Sequence, residues 1–154
     1  MKPRLQDEAI MDGILEFLGT NNPAKEVPVA AGIYDSNLKP LSLSTNRRES
    51  TSDPSAHAEI CVLRETGQVT GNWNLEGLTL FITLEPCLMC AGAILQSRIS
   101  RVVFGAFSSE ISSDSTIDLL RAGNSRLEVV GGVRNQECSL VLSQWFSKQR
   151  IEKG

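Results

Sequence analysis

Two cysteines that stand three positions apart have the residue type and the spacing of a chemically active site. Cys87 and Cys90 lie in the stretch P-C-L-M-C at residues 86–90, after a proline that suits the first turn of a helix. Residues at i and i+3 share one helical face, so both sulfurs can reach one ion. Unpaired N–H groups at a helix start also stabilise thiolates, the form that binds a metal. The pair therefore predicts two ligands of a metal such as zinc.

A third ligand is available in His57, the single histidine of the chain. It follows a second helix-start signal, Ser-Asp-Pro at residues 52–54. If both helices enter a sheet side by side, His57 can meet Cys87 and Cys90 at one point. Glu59 lies two residues further on, and first-turn side chains tilt toward the helix N-terminus. We therefore expect Glu59 beside the ion as the catalytic acid and base.

Each of these residues also has a simpler interpretation. A C-x-x-C pair can be a redox dithiol or half of a structural zinc knuckle, a lone histidine is usually a packing or surface residue, and most glutamates are solvated. Together with Pro86 they form H-x-E followed by P-C-x-x-C, the signature of zinc-dependent deaminases. A rival site would add Cys61, four residues after His57, as a fourth protein ligand. Because Cys61 stands in an apolar stretch and a closed shell leaves Glu59 no role, we expect three protein ligands.

Apolar runs alternate with amphipathic segments along the chain, which is typical of an α/β protein. Apolar residues at helical spacing predict a first helix: Ile10, Ile14, Leu15 and Leu18. Two extended runs, 27–34 and 38–43, are separated by the turn-forming residues Asp35, Ser36 and Asn37. They predict an antiparallel hairpin.

The remaining elements follow the same pattern. Strands are expected over 78–84, 101–105 and 127–130. Helices are expected from Ser52-Asp53-Pro54 to about Gly67, from Glu85-Pro86 through Gln96, over 117–122, and from Asn135 to about Arg150. The fold class is therefore α/β, a three-layer α/β/α sandwich with a five-stranded mixed sheet, in a single domain over residues 1–154.

The amino-acid composition limits which partners, which disulfide content and which cellular location are expected. The formal net charge of −3 gives no general attraction to nucleic acid, so any such contact must be local. We expect the four cysteines to be reduced thiols, because a chain of this size without a secretory signal has little need of disulfides. No stretch approaches the roughly 20 apolar residues of a membrane span, and we expect a cytoplasmic protein without membrane contact.

The chain resembles the bacterial tRNA-specific adenosine deaminases of the cytidine deaminase superfamily. The densest matching segments are 26–29 (EVPV), 46–47 (NR), 53–59 (DPSAHAE), 83–93 (TLEPCLMCAGA) and 97–106 (SRISRVVFGA). The resemblance implies a cytidine deaminase-like fold, one Zn²⁺ per chain, and conversion of adenosine to inosine at the wobble position of a tRNA anticodon. It also implies a homodimer that presents the anticodon loop to each site. A loop base is already partly unstacked, which suits an enzyme that must extract its target base.

The same resemblance suggests which side chains contact the substrate. It implies that Asn46 hydrogen-bonds the nucleoside and that apolar residues surround the base, namely Val29, Leu84 and Ala58. Phe107 could stack on a base. Three basic residues near the C-terminus could contact phosphates, namely Lys148, Arg150 and Lys153. Without the resemblance, ordinary turn, core and solvated-helix roles explain the same residues equally well.

One segment departs from that family. After Ala106 its members usually carry a basic and an acidic residue, a lysine and a glycine-rich turn. Here residues 107–115 read FSSEISSDS, with neither lysine nor glycine. A deaminase of a free nucleobase or nucleoside, of the cytosine or guanine type, is therefore the alternative on the same zinc core. An RNA-binding or partner subunit that keeps zinc for structure alone is a third hypothesis, which the intact Glu59 disfavours.

Overall fold

The computed structural model describes residues 2–109 and 113–153. Its strands are β1 Ala30–Tyr34, β2 Pro40–Thr45, β3 Thr79–Leu84, β4 Arg101–Ala106 and β5 Glu128–Val130. Its helices are α1 Asp7–Asn21, α2 Arg48–Thr51, α3 Ala58–Thr70, α4 Leu88–Ser97, α5 Ser113–Gly123 and α6 Asn135–Lys153. Within these ranges, no helix combines the length and apolar character that crossing a bilayer requires.

The five strands form one mixed sheet in the order β2-β1-β3-β4-β5. β1 is antiparallel to both β2 and β3, whereas β3, β4 and β5 run parallel. The hairpin prediction is confirmed, and the Oδ1 atom of Asp35 closes its turn by accepting the N–H groups of Asn37 and Lys39, each at 2.9 Å. Leu38 adopts a left-handed conformation with φ of 62°, so β2 begins at Pro40 and not at Leu38.

Helices cover both faces of the sheet because successive strand residues point to opposite sides. Ile82 and Phe104 pack on the face covered by α3, α4 and α5. Phe81 and Val103 pack on the other face, against residues of α1 and α6. The predicted three-layer α/β/α sandwich is confirmed.

The predicted start of the helix that carries Glu59 is wrong. The Oδ1 atom of Asp53 accepts the N–H group of Ser55 at 2.9 Å and its O–H group at 2.7 Å, and so closes a turn outside the helix. Ser52 is left-handed with φ of 52°, which ends the separate single turn α2. The helix α3 therefore begins at Ala58, and His57 occupies its N-cap position.

Two further helix ends also differ from expectation. α3 continues past Gly67 to Thr70 and ends at Gly71, a left-handed glycine with φ of 66°. α4 begins at Leu88, not at Glu85 or Pro86, so Cys87 is its N-cap residue. Cys87 in α4, like His57 in α3, is therefore a predicted metal ligand at the N-cap and not inside the helix.

A buried ion pair joins α1 to β4. The two carboxylate oxygens of Asp7 each accept a hydrogen bond from a terminal nitrogen of Arg101, both at 2.7 Å. Asp7 is 2% exposed and Arg101 is 4% exposed. The backbone N–H of Arg4 also donates to Asp7, at 2.6 Å, and Nε of Arg101 lies 3.1 Å from Glu128. This pair fixes the first helix to the parallel part of the sheet.

Candidate metal centre and substrate cavity

Three side chains converge at the N-terminal ends of α3 and α4. One ligand atom from each of His57, Cys87 and Cys90 lies within 4.8 Å of the other two. The Nδ1 atom of His57 lies 3.6 Å from Sγ of Cys87 and 3.5 Å from Sγ of Cys90. Tetrahedral zinc, at about 2.3 Å from sulfur and about 2.0 Å from nitrogen, holds such atoms about 3.5 Å apart. The donor types and their spacing therefore fit zinc.

The backbone explains why these atoms meet. His57 and Cys87 both have extended cap conformations, with ψ of 154° and 174°. The carbonyl group of His57 accepts the N–H of Cys61 at 3.0 Å, and that of Cys87 accepts the N–H of Ala91 at 2.8 Å, so each residue opens its helix. Cys90 lies in the first turn of α4 and is fully buried. Two helix ends thus supply all three donors.

The electrostatics of the three groups favour a thiolate at Cys87. A hydrogen bond from Cys90, helped by His57, lowers the pKa of Cys87 to about 4 against the opposing effect of burial. The same hydrogen bond, with burial and the nearby Glu59, raises the pKa of Cys90 well above its ordinary range. The Cys87 hydrogen bond raises the pKa of His57. Cys87 is thus the cysteine of the pair that loses its proton more readily.

Glu59 lies in the first turn of α3 beside these donors. It is 4% exposed, and its carboxyl group is hydrogen-bonded to Cys90. Burial raises the pKa of this carboxyl above its usual value. Glu59 also lines the cavity that opens onto His57 and Cys87. A buried carboxyl thus faces the space in front of the donor group.

Cys61 lies outside the donor group. Among residues 2–109 and 113–153, the cluster of potential metal ligands consists of His57, Cys87 and Cys90. Cys61 is half-buried and hydrogen-bonded to Ser44, and burial raises the pKa of its thiol. The structure therefore does not support the rival Cys3His site, in which Cys61 would be a fourth protein ligand.

A cavity of about 600 Å³ lies in front of the donor group. All five residues suggested as substrate contacts line it: Val29, Asn46, Ala58, Leu84 and Phe107. Several lining residues were not anticipated, namely Val27, Arg48, Glu85, Ser108, Leu142 and Phe146. Leu142 and Phe146 belong to α6, whose sequence carries no motif that would reveal their position.

Phe107 forms part of one wall and is 47% exposed. Its ring packs edge-on against Phe104 with a centroid separation of 5.2 Å. The next residue is held as well, because the N–H of Ser108 donates to Oε1 of Glu85 at 3.0 Å. Within the divergent segment 107–115, residues 110–112 lie outside the described residues.

A second cavity, of about 230 Å³, adjoins the first. The two share four lining residues, namely Val27, Asn46, Arg48 and Phe146. Lys153 lines the second cavity, as do Lys25 and Trp145. Lys148 and Arg150 line neither cavity, and Arg150 instead donates to Oγ of Ser147 at 3.1 Å. Lys25 and Arg48 were not predicted from the sequence as cavity residues, although each is adjacent to a residue of a segment that matches the family.

Comparison with known proteins agrees with this geometry. Residues 4–106 match the family model described as the cytidine and deoxycytidylate deaminase zinc-binding region. The chain belongs to this deaminase family. The tRNA-specific adenosine deaminase of Bacillus subtilis is 39% identical over 96% of this chain and 93% of its own length. That of Haemophilus influenzae is 41% identical over 96% of this chain and 87% of its own length. The predicted family resemblance is confirmed.

Solved structures support the same fold. A structure from a study of A-to-I editing by tRNA:A34 deaminases superposes with a TM-score of 0.77 at 29% identity, covering 87% of this chain and 99% of the other. A guanine deaminase of Nitrosomonas europaea superposes with a TM-score of 0.79 at 24% identity, covering 91% and 84%. The second similarity concerns the fold alone.

Proposed function

We propose that this member of the deaminase family is a zinc-dependent hydrolase that converts adenosine to inosine at the wobble position of a tRNA anticodon. The observation that carries the proposal is the buried carboxyl of Glu59 beside the donors His57, Cys87 and Cys90 in an open cavity. The near full-length similarity to tRNA-specific adenosine deaminases supports the choice of substrate.

One Zn²⁺ per chain would be held by His57, Cys87 and Cys90. Their atom separations support tetrahedral binding with one position left for a non-protein ligand. When bound, zinc supplies the Lewis acidity that makes water a nucleophile near neutral pH. Both cysteines then ligate as thiolates, and the low pKa of Cys87 already favours that form.

Glu59 moves the protons of the reaction. Hydrolytic deamination adds water at the amine-bearing ring carbon and releases ammonia, so one proton must pass to a ring nitrogen and another to the leaving amine. The Glu59 carboxylate accepts one proton from the attacking water and delivers it to the ring nitrogen, then accepts the second proton from the hydroxyl group of the adduct and delivers it to the leaving amine. Its burial at the cavity wall keeps this proton away from bulk solvent.

The cavity residues bind and orient the base. The Oδ1 atom of Asn46 accepts the N–H of Arg48 at 3.2 Å, which leaves the Nδ2 group to donate to the nucleoside. Val29, Ala58 and Leu84 provide apolar walls, and the half-exposed Phe107 provides a ring on which a base can stack.

The second cavity receives the RNA next to the target nucleotide. Arg48 lies at the junction of both cavities. Lys25 and Lys153 add positive charge in the smaller one, whose lining also includes Glu26 and Glu49. Trp145 and Phe146 pack edge-on with centroids 5.1 Å apart and offer aromatic surface there. Phosphates and unstacked bases of an anticodon loop match these two kinds of group. Lys148 and Arg150, on the same helix, remain predicted phosphate contacts.

A homodimer in the cytoplasm is part of the same proposal. Trp73 is 69% exposed beside a groove between α3 and α4, and Leu88 and Met89 are exposed at the start of α4. Apolar surface of this kind next to a site suits contact with a second copy. Analytical ultracentrifugation should give twice the chain mass, and Trp73→Glu should shift the protein toward the monomer.

One assay tests the function directly. The purified zinc-loaded protein is offered an anticodon stem-loop with adenosine at the wobble position, and separately free adenosine, cytosine and guanine, with ammonia and inosine measured. We expect turnover of the stem-loop only, and none with Glu59→Ala. Turnover of free bases alone would refute the RNA substrate while keeping the chemistry.

A free-base or nucleoside deaminase remains the second candidate because Phe107 and Ser108 line the cavity directly after Ala106, where the family usually carries a basic and an acidic residue. Salt separates the two candidates. Binding of RNA weakens steeply as salt rises, because phosphate contacts release counterions, whereas binding of a neutral base does not. A KM for the stem-loop that is indifferent to salt would favour the free-base candidate.

A further inference from the structure

Glu26 is a buried carboxylate that neither the metal site nor the proton transfer uses. It is 1% exposed, lines the second cavity together with Glu49, and precedes Val27, which lines both cavities. Its Oε1 atom accepts the backbone N–H groups of Glu49 and Ser50, the second at 3.2 Å. Its Oε2 atom is buried and has no hydrogen-bond partner in the part of the chain that the structure describes. The carboxylate thus connects Glu26 to Glu49 and Ser50, which follow it by 23 and 24 residues in the sequence.

The main chain around Glu26 is itself held in place. The N–H of Glu26 donates to the carbonyl of Pro23 at 3.0 Å, and its carbonyl accepts Nδ2 of Asn22 at 3.1 Å. Asn22 directly follows α1, whose apolar face packs on the sheet. The carboxylate is therefore presented from a fixed support.

The segment that Glu26 holds contains two cavity residues, Asn46 and Arg48. Backbone bonds secure its beginning, from Asn46 N–H to Val29 at 3.0 Å and from Arg47 N–H to Ala56 at 2.9 Å. Beyond them the single turn α2 buries none of its residues, so apolar packing does not hold it. The Glu26 carboxylate supplies the contact from the protein interior to this turn.

Such an arrangement has a stability cost. A buried carboxylate oxygen without a partner loses its hydration and gains nothing in return. A neutral amide could accept the same two N–H bonds at lower cost, because it carries no charge to desolvate. The carboxylate therefore needs an explanation other than stability.

We propose that Glu26 is a positioning residue for substrate recognition, which holds the turn 47–51 so that Asn46 and Arg48 stand at the mouth of the cavity. This inference rests on the proposed function, since the substrate is the RNA named there. Because Glu26 touches neither the donors nor the reacting base, it acts on binding of the substrate and not on the chemical step.

Steady-state kinetics on the adenosine stem-loop test the proposal with the zinc-loaded protein. Losing the hold on Asn46 and Arg48 should raise KM about tenfold in Glu26→Leu, with kcat within about twofold. Glu26→Gln keeps a carbonyl oxygen that accepts the two N–H groups and should restore KM to within about threefold. The matched control is Asp7→Asn, a buried carboxylate remote from the cavity, which should leave KM unchanged.

Amide hydrogen exchange without RNA gives a readout independent of activity. In Glu26→Leu we expect faster exchange at Glu49 and Ser50, with α3 still protected. Unchanged exchange at these two amides, or faster exchange with a normal KM, would overturn the role of Glu26. Loss of protection throughout α3 would also overturn it, because the effect would then be general destabilisation. Wild-type protein that is inactive on the stem-loop would overturn the proposed function as well, whereas the other outcomes concern Glu26 alone.

Discussion

The Nδ1 atom of His57 lies 3.6 Å from Sγ of Cys87, thirty residues further along the chain. Both residues are helix N-caps, so each side chain leaves its backbone just outside a regular helix. Cap positions point side chains into the space beyond the helix end, where a ligand from another helix can meet them. The donor group is therefore built between helix ends and not along one helical face.

Removing one donor should release the metal. His57→Ala leaves two thiols, and we expect it to lose zinc on dialysis, whereas Cys61→Ser should keep it because Cys61 lies outside the donor group. Zinc stabilises the folded state by mass action, by about 4 kcal/mol when free zinc exceeds its Kd a thousandfold. The wild-type Tm should therefore fall on chelation and that of His57→Ala should not. Zinc content and thermal unfolding measure both effects, and zinc loss from Cys61→Ser would favour the four-ligand site.

Proton transfer by Glu59 predicts a defect in turnover alone. Glu59→Gln preserves size and polarity but cannot carry the proton, so kcat should fall by about 10²–10⁴-fold while zinc content stays unchanged. Glu65→Gln is the matched control, because Glu65 lies on the same helix outside the cavity. Ammonia release under saturating substrate measures kcat. A Glu59→Gln protein with wild-type turnover would remove this residue from the mechanism.

The sequence identified the donor residues because their signals are short. Cys87 and Cys90 stand three positions apart in one short motif, and His57 is the single histidine of the chain. The strands were predictable for the same reason, since short apolar runs such as 78–84 and 101–105 indicate a strand without reference to the rest of the chain. The helix start near Asp53 was wrong because its side chain caps a turn with Ser55 instead of a helix. A capping residue alone does not specify which of the two it will stabilise.

Long-range contacts explain what the sequence did not reveal. The hydrogen bonds that the N–H groups of Glu49 and Ser50 donate to Glu26 span more than twenty residues and follow no local pattern. The same is true of Leu142 and Phe146, which reach the cavity only because α6 packs across the sheet. Residues of this kind require the folded arrangement of layers before their position is known.

The Asp7–Arg101 pair predicts a pH dependence of stability. Burial alone would raise the pKa of Asp7, but the hydrogen bonds from Arg101 and Arg4 outweigh it, so the pKa lies below the ordinary value of 3.8. A carboxyl whose folded pKa is depressed stabilises the fold above its unfolded pKa, and that contribution is lost as pH falls through the folded pKa. The free energy of unfolding of wild type should therefore exceed that of Asp7→Asn most at neutral pH, and the difference should shrink below about pH 4.

Removing the arginine of this buried pair should lower the free energy of unfolding more than Asp7→Asn does. Arg101→Met leaves the Asp7 carboxylate buried without its partner and should destabilise the fold by about 3–5 kcal/mol. The double variant Asp7→Leu with Arg101→Met removes both charges and should recover most of that loss. Urea unfolding at pH 7 measures both variants. A double variant as unstable as Arg101→Met would show that packing, and not the charge, sets the cost.

Arg48 stands where the two cavities join, which makes it the basic residue best placed to contact a phosphate beside the target nucleotide. Each neutralised phosphate releases counterions, so the slope of log affinity against log salt counts such contacts. Arg48→Ala should weaken binding of the stem-loop and reduce that slope by about 1, whatever the sequence of the loop. Arg121→Ala removes the same charge from α5, away from both cavities, and should leave the slope unchanged. Binding is best measured in the Glu59→Gln background, where the substrate is not consumed. Equal slopes for the two arginine variants would mean that the RNA does not cross the junction of the cavities.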